Sequence, residues 1–367
     1  MATYKEKRGT NVVPIVSAVP ETGVNGEIVY ITGEGLASYN GGTWSKLTAV
    51  DTYKHWIGTS KSFTCGGRYI SSGSYVNLNN IDAVSFASDG NATDWGDLVV
   101  AGPADGQTGS SPSDGIVYLM GRAINGYRYR VEKFSSASAS NSSTVGGEYV
   151  WNNMVTGAGE ASAGQTATHL VLHSIGPNSF STVRGFSFAA GTTTANDFSG
   201  GNTAAYGRCV TCSMETHMFI AGGVNASYSE TAAKQIRKYA NSGSSAAANH
   251  GTAELSIAHS VASSGTSDTH GFAAGGYNAG TARLQQISSF PYATETNSSD
   301  HGDLTFGNRQ NRSGASSATH SYATGGNTAS TPYSRNVIEK YSTVSAGNAT
   351  DVGDLSNTVA ESCQGYA

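Results

Sequence analysis

The feature that most constrains this chain is an internal repeat of about 50 residues, and such a period points to stacked or radially arranged units before any other reading. The clearest copies run Thr-His, a variable residue, an aromatic, two small or apolar residues, then Gly-Gly. They are Thr216–Gly223, Thr269–Gly276 and Thr319–Gly326. Weaker copies begin at Ser60, Asp114 and Thr168, so the six starts lie 54, 54, 48, 53 and 50 residues apart. A second landmark follows each start: a β-branched residue, two variable positions, then an aromatic or Val. It occurs as Ile81/Val84, Val131/Phe134, Val183/Phe186, Ile236/Tyr239, Ile287/Phe290 and Ile338/Tyr341. A third is Gly-Asp-Leu at 96–98, 302–304 and 353–355, with Ala253-Glu254-Leu255 as a degenerate copy.

Each unit reads as four strands. Strand A is the small-residue stretch after Asp-Leu, and strand B carries Thr-His-x-aromatic and ends at Gly-Gly. Strand C holds the β-branched/aromatic pair, and strand D leads through Asn-Ala-Thr-Asp to the next Asp-Leu. Aromatic and β-branched side chains suit a pleated surface, and no stretch has helical periodicity. Composition agrees: glycine fills 47 positions and charged residues only 13%, yet 19 Tyr, 11 Phe and 4 Trp are spread along the chain. Disordered chains are rich in charge and poor in aromatics. Six four-stranded units predict an all-β fold, a six-bladed β-propeller over residues 49–367, with kelch blades nearest in repeat length. The segment Ser356–Ala367 aligns with the A strand 305–315 and would pair beside the first blade, removing an open edge. Residues 49–59 are the other candidate for that strand.

Residues 1–48 stand outside the repeat. Gly26-Glu27-Ile28-Val29-Tyr30 and Gly35-Leu36-Ala37-Ser38-Tyr39-Asn40-Gly41-Gly42-Thr43-Trp44 alternate apolar and polar residues about glycine turns, with Asn40-Gly41 as a hairpin signal. This predicts a β-meander of about three strands, too small for an independent core.

Several chemistries find little support. A net charge of −5 argues against nucleic-acid binding, which needs a basic surface. No apolar run is long enough to span a bilayer, and residues 1–10 lack the hydrophobic stretch of a secretory signal, so the reading is synthesis in a cytoplasm. Cys209 and Cys212 form a C-x-x-C without the second ligand pair of a structural zinc site. The repeated His169, His217, His270 and His320 read as one structural hydrogen bond made in every unit. The recurring Asp94, Asp97, Asp300, Asp303, Asp351 and Asp354 read as turn caps rather than calcium ligands. Ser88–Trp95 resembles a sialidase Asp-box only faintly and occurs once. No catalytic residue, cofactor or metal site is expected.

The connections between strands B and C carry Tyr69, Tyr75, Tyr127, Tyr129, Tyr228, Tyr277 and Tyr333, with Arg68, Arg128 and Arg335 nearby. B–C turns of a propeller emerge on one face, and Tyr and Arg are enriched where proteins or sugars bind. These ten residues form the candidate recognition face.

The motif Gly-Glu-Ile-Val-Tyr … Gly-Leu-Ala-Ser-Tyr-Asn-Gly-Gly-Thr-Trp at 26–44 resembles a short module of bacteriophage fibres and appendages. The Thr-His-x-aromatic-x-x-Gly-Gly repeat, with Ile-Glu-Lys-Tyr and Gly-Asn-Ala-Thr-Asp-Val-Gly-Asp-Leu at 338–355, is similar to kelch-like repeats in structural proteins of marine and cyanobacterial phages. The second and third units depart from it, since Thr-His or Gly-Gly is eroded there. The resemblance implies a non-enzymatic virion component, a tail fibre, head fibre or similar appendage. It would attach to other virion proteins through residues 1–48, form a homo-oligomer, and display a propeller to a host surface glycan or protein. The competing expectation is a carbohydrate-active propeller enzyme, glycosidase or sialidase-like, which rests on fold analogy alone.

Overall fold

The computed structural model describes residues 14–366 except 19, 32–34, 48–53, 72–73, 102–106, 112–114, 123–127, 146–148, 151–161, 176–180, 190–195, 198–205, 208, 226–233, 244–247, 279–281, 309–313 and 329–332. The described residues form strands and turns and no helix. The chain divides into two compact units, Met1–Lys54 and His55–Ala367.

The first unit is one four-stranded sheet in the order Ile15–Val16, Ile28–Ile31, Gly35–Asn40, Thr43–Leu47. The first pair is parallel and the others antiparallel, so a short strand joins the three that the sequence predicts. Asn40 pairs with Thr43, which moves the hairpin turn one residue on, to Gly41-Gly42. Both glycines have positive φ, 60° and 89°, as a two-residue primed turn requires. One sheet face buries Val29, Ile31 and Ala37 with Val16 and Trp44 against them.

Among its described residues the second unit holds six larger antiparallel sheets and a two-stranded one, Tyr206–Gly207 with Val224–Asn225. Sheet I pairs Glu361–Tyr366, Lys61–Ser71, Ser74–Ser85 and Thr93–Asp97. Sheet II contains Gln107–Ser111, Ile116–Arg122, Arg128–Ser135 and Ser143–Thr144. Sheet III runs Ser162–Gln165, His169–Ile175, Ser181–Ser187 and Asn196–Asp197. Sheet IV is Val210–Ser213, His217–Ala221, Gln235–Ala240 and Ala248–Glu254. Sheet V is Ser263–Thr266, His270–Ala274, Ala282–Pro291 and Ser299–Asn308. Sheet VI is Ala315–Ser316, His320–Thr324, Arg335–Ser342 and Thr350–Val359. In that order the four are strands A to D of each sheet. Each A strand touches the A strand of the next sheet, and that of VI touches that of I. Small residues permit close approach: a Cβ on Gly164 would lie 2.6 Å from Thr211 of the next A strand, and one on Gly265 2.6 Å from Ser321 of the next sheet's B strand.

The repeated landmarks become the core between sheets. Ile81, Val131, Ile236, Ile287 and Ile338 are all buried. Their aromatic partners meet rings of the neighbouring sheet, as in Phe63–Phe134 at 5.2 Å and Phe272–Tyr341 at 5.9 Å. Burial of each such side chain contributes about 1.5–3 kcal/mol.

Gly-Asp-Leu is a latch between D strands and the following sheet. The Asp97 N–H donates to Asn141 Oδ1, Glu254 to Asn297, Asp303 to Asn348 and Asp354 to Asn91, each at 3.0 Å. The glycine before it approaches the next sheet so closely that a Cβ on Gly302 would lie 2.2 Å from the Gly347 carbonyl and one on Gly353 2.3 Å from that of Gly90. Their φ values of 146° and 153° also exclude most side chains.

A second latch lies beneath it, and the sequence reading missed it. The residue after the β-branched landmark is polar and buried in five sheets: Asp82, Glu132, Arg237, Ser288 and Glu339. Asp82 accepts from the Ser356 N–H at 3.1 Å and from its hydroxyl at 2.6 Å. Glu132 accepts from the Val99 N–H at 2.9 Å and the Ser142 hydroxyl, and Glu339 from the N–H and hydroxyl of Thr305. Burial raises the pKa of Asp82 and pushes Glu339 up to about 7 against the bonds that favour their charged forms.

Strand borders differ from expectation at the C-terminus. Ser356–Val359 continues the D strand of sheet VI, and the strand on Lys61–Ser71 is Glu361–Tyr366. Leu355 is buried in a cluster with Val84 and Val359, so the strand does not end at Asp-Leu. Residues 49–53 lie outside the described residues, and 54–60 form no strand.

Candidate recognition surface

The B–C hairpin of sheet I is long because strand B continues past Gly66-Gly67, where the register shifts. Arg68–Ser71 and Ser74–Asn77 then pair beyond it, and residues 74–77 are all exposed. Tyr75 is 55% exposed and Val76 37%. The Arg68 guanidinium sits 3.9 Å from the centre of the Tyr75 ring, a cation–π contact that fixes the ring. Tyr69 is half-buried.

This hairpin stands against sheet VI. The Ile70 N–H donates to Ser334 Oγ at 3.1 Å and the Ala360 N–H to the Arg68 carbonyl at 2.8 Å. Arg335 pairs with Val359, one residue before Ala360. Tyr333, 44% exposed, precedes Ser334, and the Arg335 guanidinium lies 5.8 Å from the Phe306 ring. Arg68, Tyr75, Tyr333 and Arg335 therefore share one region where sheets I and VI meet. Exposed aromatic rings beside guanidinium groups offer flat stacking surfaces and donors for carboxylate or hydroxyl groups.

Tyr277 departs from the expected face. It is 3% exposed, because its backbone exchanges two hydrogen bonds with Ser260 and draws the ring inward. Tyr127 and Tyr228 lie outside the described residues. Arg128 and Tyr129 open strand C of sheet II, with side chains outside the described set.

The polar residues repeated along the chain are engaged in structure. Thr168, Thr216, Thr269 and Thr319 each place Oγ1 2.8–2.9 Å from Nδ1 of the following histidine. Burial lowers the pKa of all four histidines. Asp94, Asp300 and Asp351 accept the N–H of the glycine two residues on, at 3.0–3.1 Å. Cys209 and Cys212 lie in different core clusters, and burial pushes both thiols up to about 12, so neither is a thiolate at neutral pH. Among the described residues no group of three His, Cys, Asp or Glu side chains could hold a metal ion. A cleft of about 250 Å³ opens between sheets IV and V beside His217, Lys238, Asp268 and Tyr292.

The first unit presents a second surface. Ile28, Tyr30 and Leu36, 39–41% exposed, alternate with the buried Val29, Ile31 and Ala37, and Ile15 is 75% exposed. Ile15, Tyr30 and Leu36 are direct cross-strand neighbours, so they form a continuous apolar strip.

No family model matches this chain, and no curated protein matches it.

Proposed function

We propose that this protein is a structural, non-enzymatic component of a bacteriophage virion, a tail fibre, head fibre or similar appendage. In this reading sheets I to VI are the blades of a kelch-like six-bladed propeller closed by Glu361–Tyr366. The cyclic succession of A-strand contacts supports it. Residues 1–48 attach the protein to other virion proteins, and the propeller meets a host surface glycan or protein. The protein is made in the host cytoplasm and functions on the particle as a homo-oligomer.

The observation that carries attachment is the apolar strip Ile15, Tyr30, Leu36 and Ile28. A sheet of four short strands with one thin buried face lacks the core to stand alone, and an exposed apolar strip marks an interaction site. The Tyr75/Arg68/Tyr333 region supports adhesion. In the full chain, Ile28→Asp with Tyr30→Asp should abolish incorporation into particles while the second unit keeps its melting temperature. Incorporation at normal copy number defeats the attachment reading. Release of product from host surface polysaccharide by the wild-type protein would replace it with the carbohydrate-active enzyme.

A further inference from the structure

His55-Trp56-Ile57-Gly58, just ahead of the first repeat, belong to no sheet and carry no repeat landmark, yet His55, Trp56 and Ile57 are only 6–8% exposed. Their hydrogen bonds reach five sheets. The His55 carbonyl accepts from Tyr366 Oη at 2.8 Å and from the Gln165 side-chain amide. The His55 ring is bonded to the Met214 backbone. Trp56 Nε1–H donates to Asp268 Oδ1 at 3.2 Å, and the Gly58 N–H to the Ser316 carbonyl at 2.7 Å.

These partners share one position in the fold. Tyr366 and Gln165 end the A strands of sheets I and III. Met214 follows the A strand of sheet IV, Asp268 lies two residues past that of sheet V, and Ser316 ends that of sheet VI. Every one sits at the end of strand A that lies beside the start of strand B. A tetrapeptide spans at most about 14 Å, so five strands meet it only if their ends converge around it.

We propose that His55–Gly58 is a plug that closes one mouth of the passage between the A strands and locks the closing strand Glu361–Tyr366 to the sheets across from it. The passage itself rests on the propeller reading; the five contacts do not. The plug does two things. It makes the passage blind on the side of the A–B turns, so any ligand that enters does so from the B–C face. It also receives the covalent connection from the first unit at His55. A pull on that unit is then spread over the A strands of five sheets instead of peeling Lys61–Ser71 from its neighbours.

The test is segment-resolved hydrogen exchange on the full chain, comparing wild type with a variant in which His55, Trp56 and Ile57 become Gly-Ser-Gly. The expected result is an increase of about tenfold or more in amide exchange at 361–366 and 315–316. Strands C and D of sheet V, 282–291 and 299–308, should keep wild-type protection. A uniform rise across all sheets would reduce the segment to core filler and overturn the plug, as would unchanged exchange at 361–366. Should that variant fail to fold, Trp56→Phe keeps an aromatic ring at this position and removes the bond to Asp268. It should raise exchange around 55–58 and 266–269 alone, and no change there also overturns the proposal. Averaged electron images of the same samples separate the two readings. A six-fold ring with unaltered exchange sinks the plug and spares the propeller, whereas sheets not arranged as a ring sink the propeller itself.

Discussion

The junction between sheets VI and I and the junction between sheets IV and V share one backbone pattern but use different side chains beneath it. At both, the N–H of the residue before the latch leucine donates to an asparagine of the next sheet at 3.0 Å. Below that, the VI–I junction buries a carboxylate, Asp82, which holds the N–H and hydroxyl of Ser356. The IV–V junction has Ser288 at the same repeat position. The Ser256 N–H goes to Ser298 Oγ at 2.7 Å, and Ser288 Oγ lies 2.8 Å from Nε2 of the buried His259. The same repeat position thus tolerates either a charged acceptor, which favours the bond but resents burial, or a hydroxyl in a neutral network that incurs little desolvation.

The largest break in this comparison removes one junction outright. Truncation after Ala360 deletes the strand paired with Lys61–Ser71 and leaves sheet I with a bare edge, while the IV–V junction is untouched. Exposed edges of this kind associate. The truncated chain should sediment as aggregates and lose its cooperative melting transition. A monomer that melts as the full chain does would mean the closing strand contributes nothing.

Point substitutions probe the junctions separately. Asp82→Ala removes the buried charged acceptor that holds the N–H and hydroxyl of Ser356 and should cost about 1.5–3 kcal/mol in guanidinium unfolding. Ser288→Ala removes the neutral bonds of its hydroxyl to His259, Ser256 and Gln286, of which only the first is short, and should cost about 1 kcal/mol. Equal costs would show that the carboxylate is no stronger a latch than the hydroxyl.

The two chemistries also titrate in opposite directions. Glu339, the carboxylate latch between sheets V and VI, has its pKa pushed up from 4.5 to about 7, chiefly by burial. The folded protein therefore binds this proton more tightly than the unfolded chain. Its contribution is full below pH 4.5 and is lost as pH rises through 7, up to about 3 kcal/mol. His259 is the reverse: burial pushes its pKa from 6.5 down to about 4, against a bond to the Gly275 backbone. The unfolded chain binds that proton more tightly, so its contribution is full above pH 6.5. It is lost as pH falls toward 4, again by about 3 kcal/mol. Glu339→Gln should flatten the decline in stability between pH 4.5 and 7, and His259→Gln the decline on acidification below 6.5. Unaltered slopes in urea titrations across this range would mean neither group changes its proton affinity on folding.

Much of this was legible in the sequence, and the rest was hidden for physical reasons. The β-branched/aromatic pair and Thr-His-x-aromatic mark strands because each must fill the same gap between sheets, so the residue type recurs. The buried position after the β-branched residue needs only a hydrogen-bonding group. It is Asp82, Glu132, Arg237, Ser288 and Glu339 in different sheets, and a search for recurring identity passes over it. Its recurring polarity, beside an invariantly apolar neighbour, was the available signal. Tyr75 and Tyr333 are exposed as their loop positions suggest, whereas Tyr277 follows a glycine that lets the chain fold back onto Ser260. His55–Gly58 has no repeat to betray it, because a single segment bonds to five sheets.

The smallest expected effect is the control on which the comparison depends. Asn91 and Asn297 occupy the same place at the two junctions, and each amide oxygen accepts one N–H at 3.0 Å from a residue exposed to solvent. Neither bond is charge-assisted on the acceptor side, and water can replace either when the amide is removed. Asn91→Ala and Asn297→Ala should therefore each cost about 0.5–1 kcal/mol, and the two costs should agree within error. Suppose instead that Asn91→Ala costs several times more than Asn297→Ala. The VI–I junction would then be intrinsically more fragile, through its role in closure, and any excess seen in Asp82→Ala could not be assigned to the buried carboxylate. Agreement between the two asparagines leaves the acid and the hydroxyl as the only difference under test.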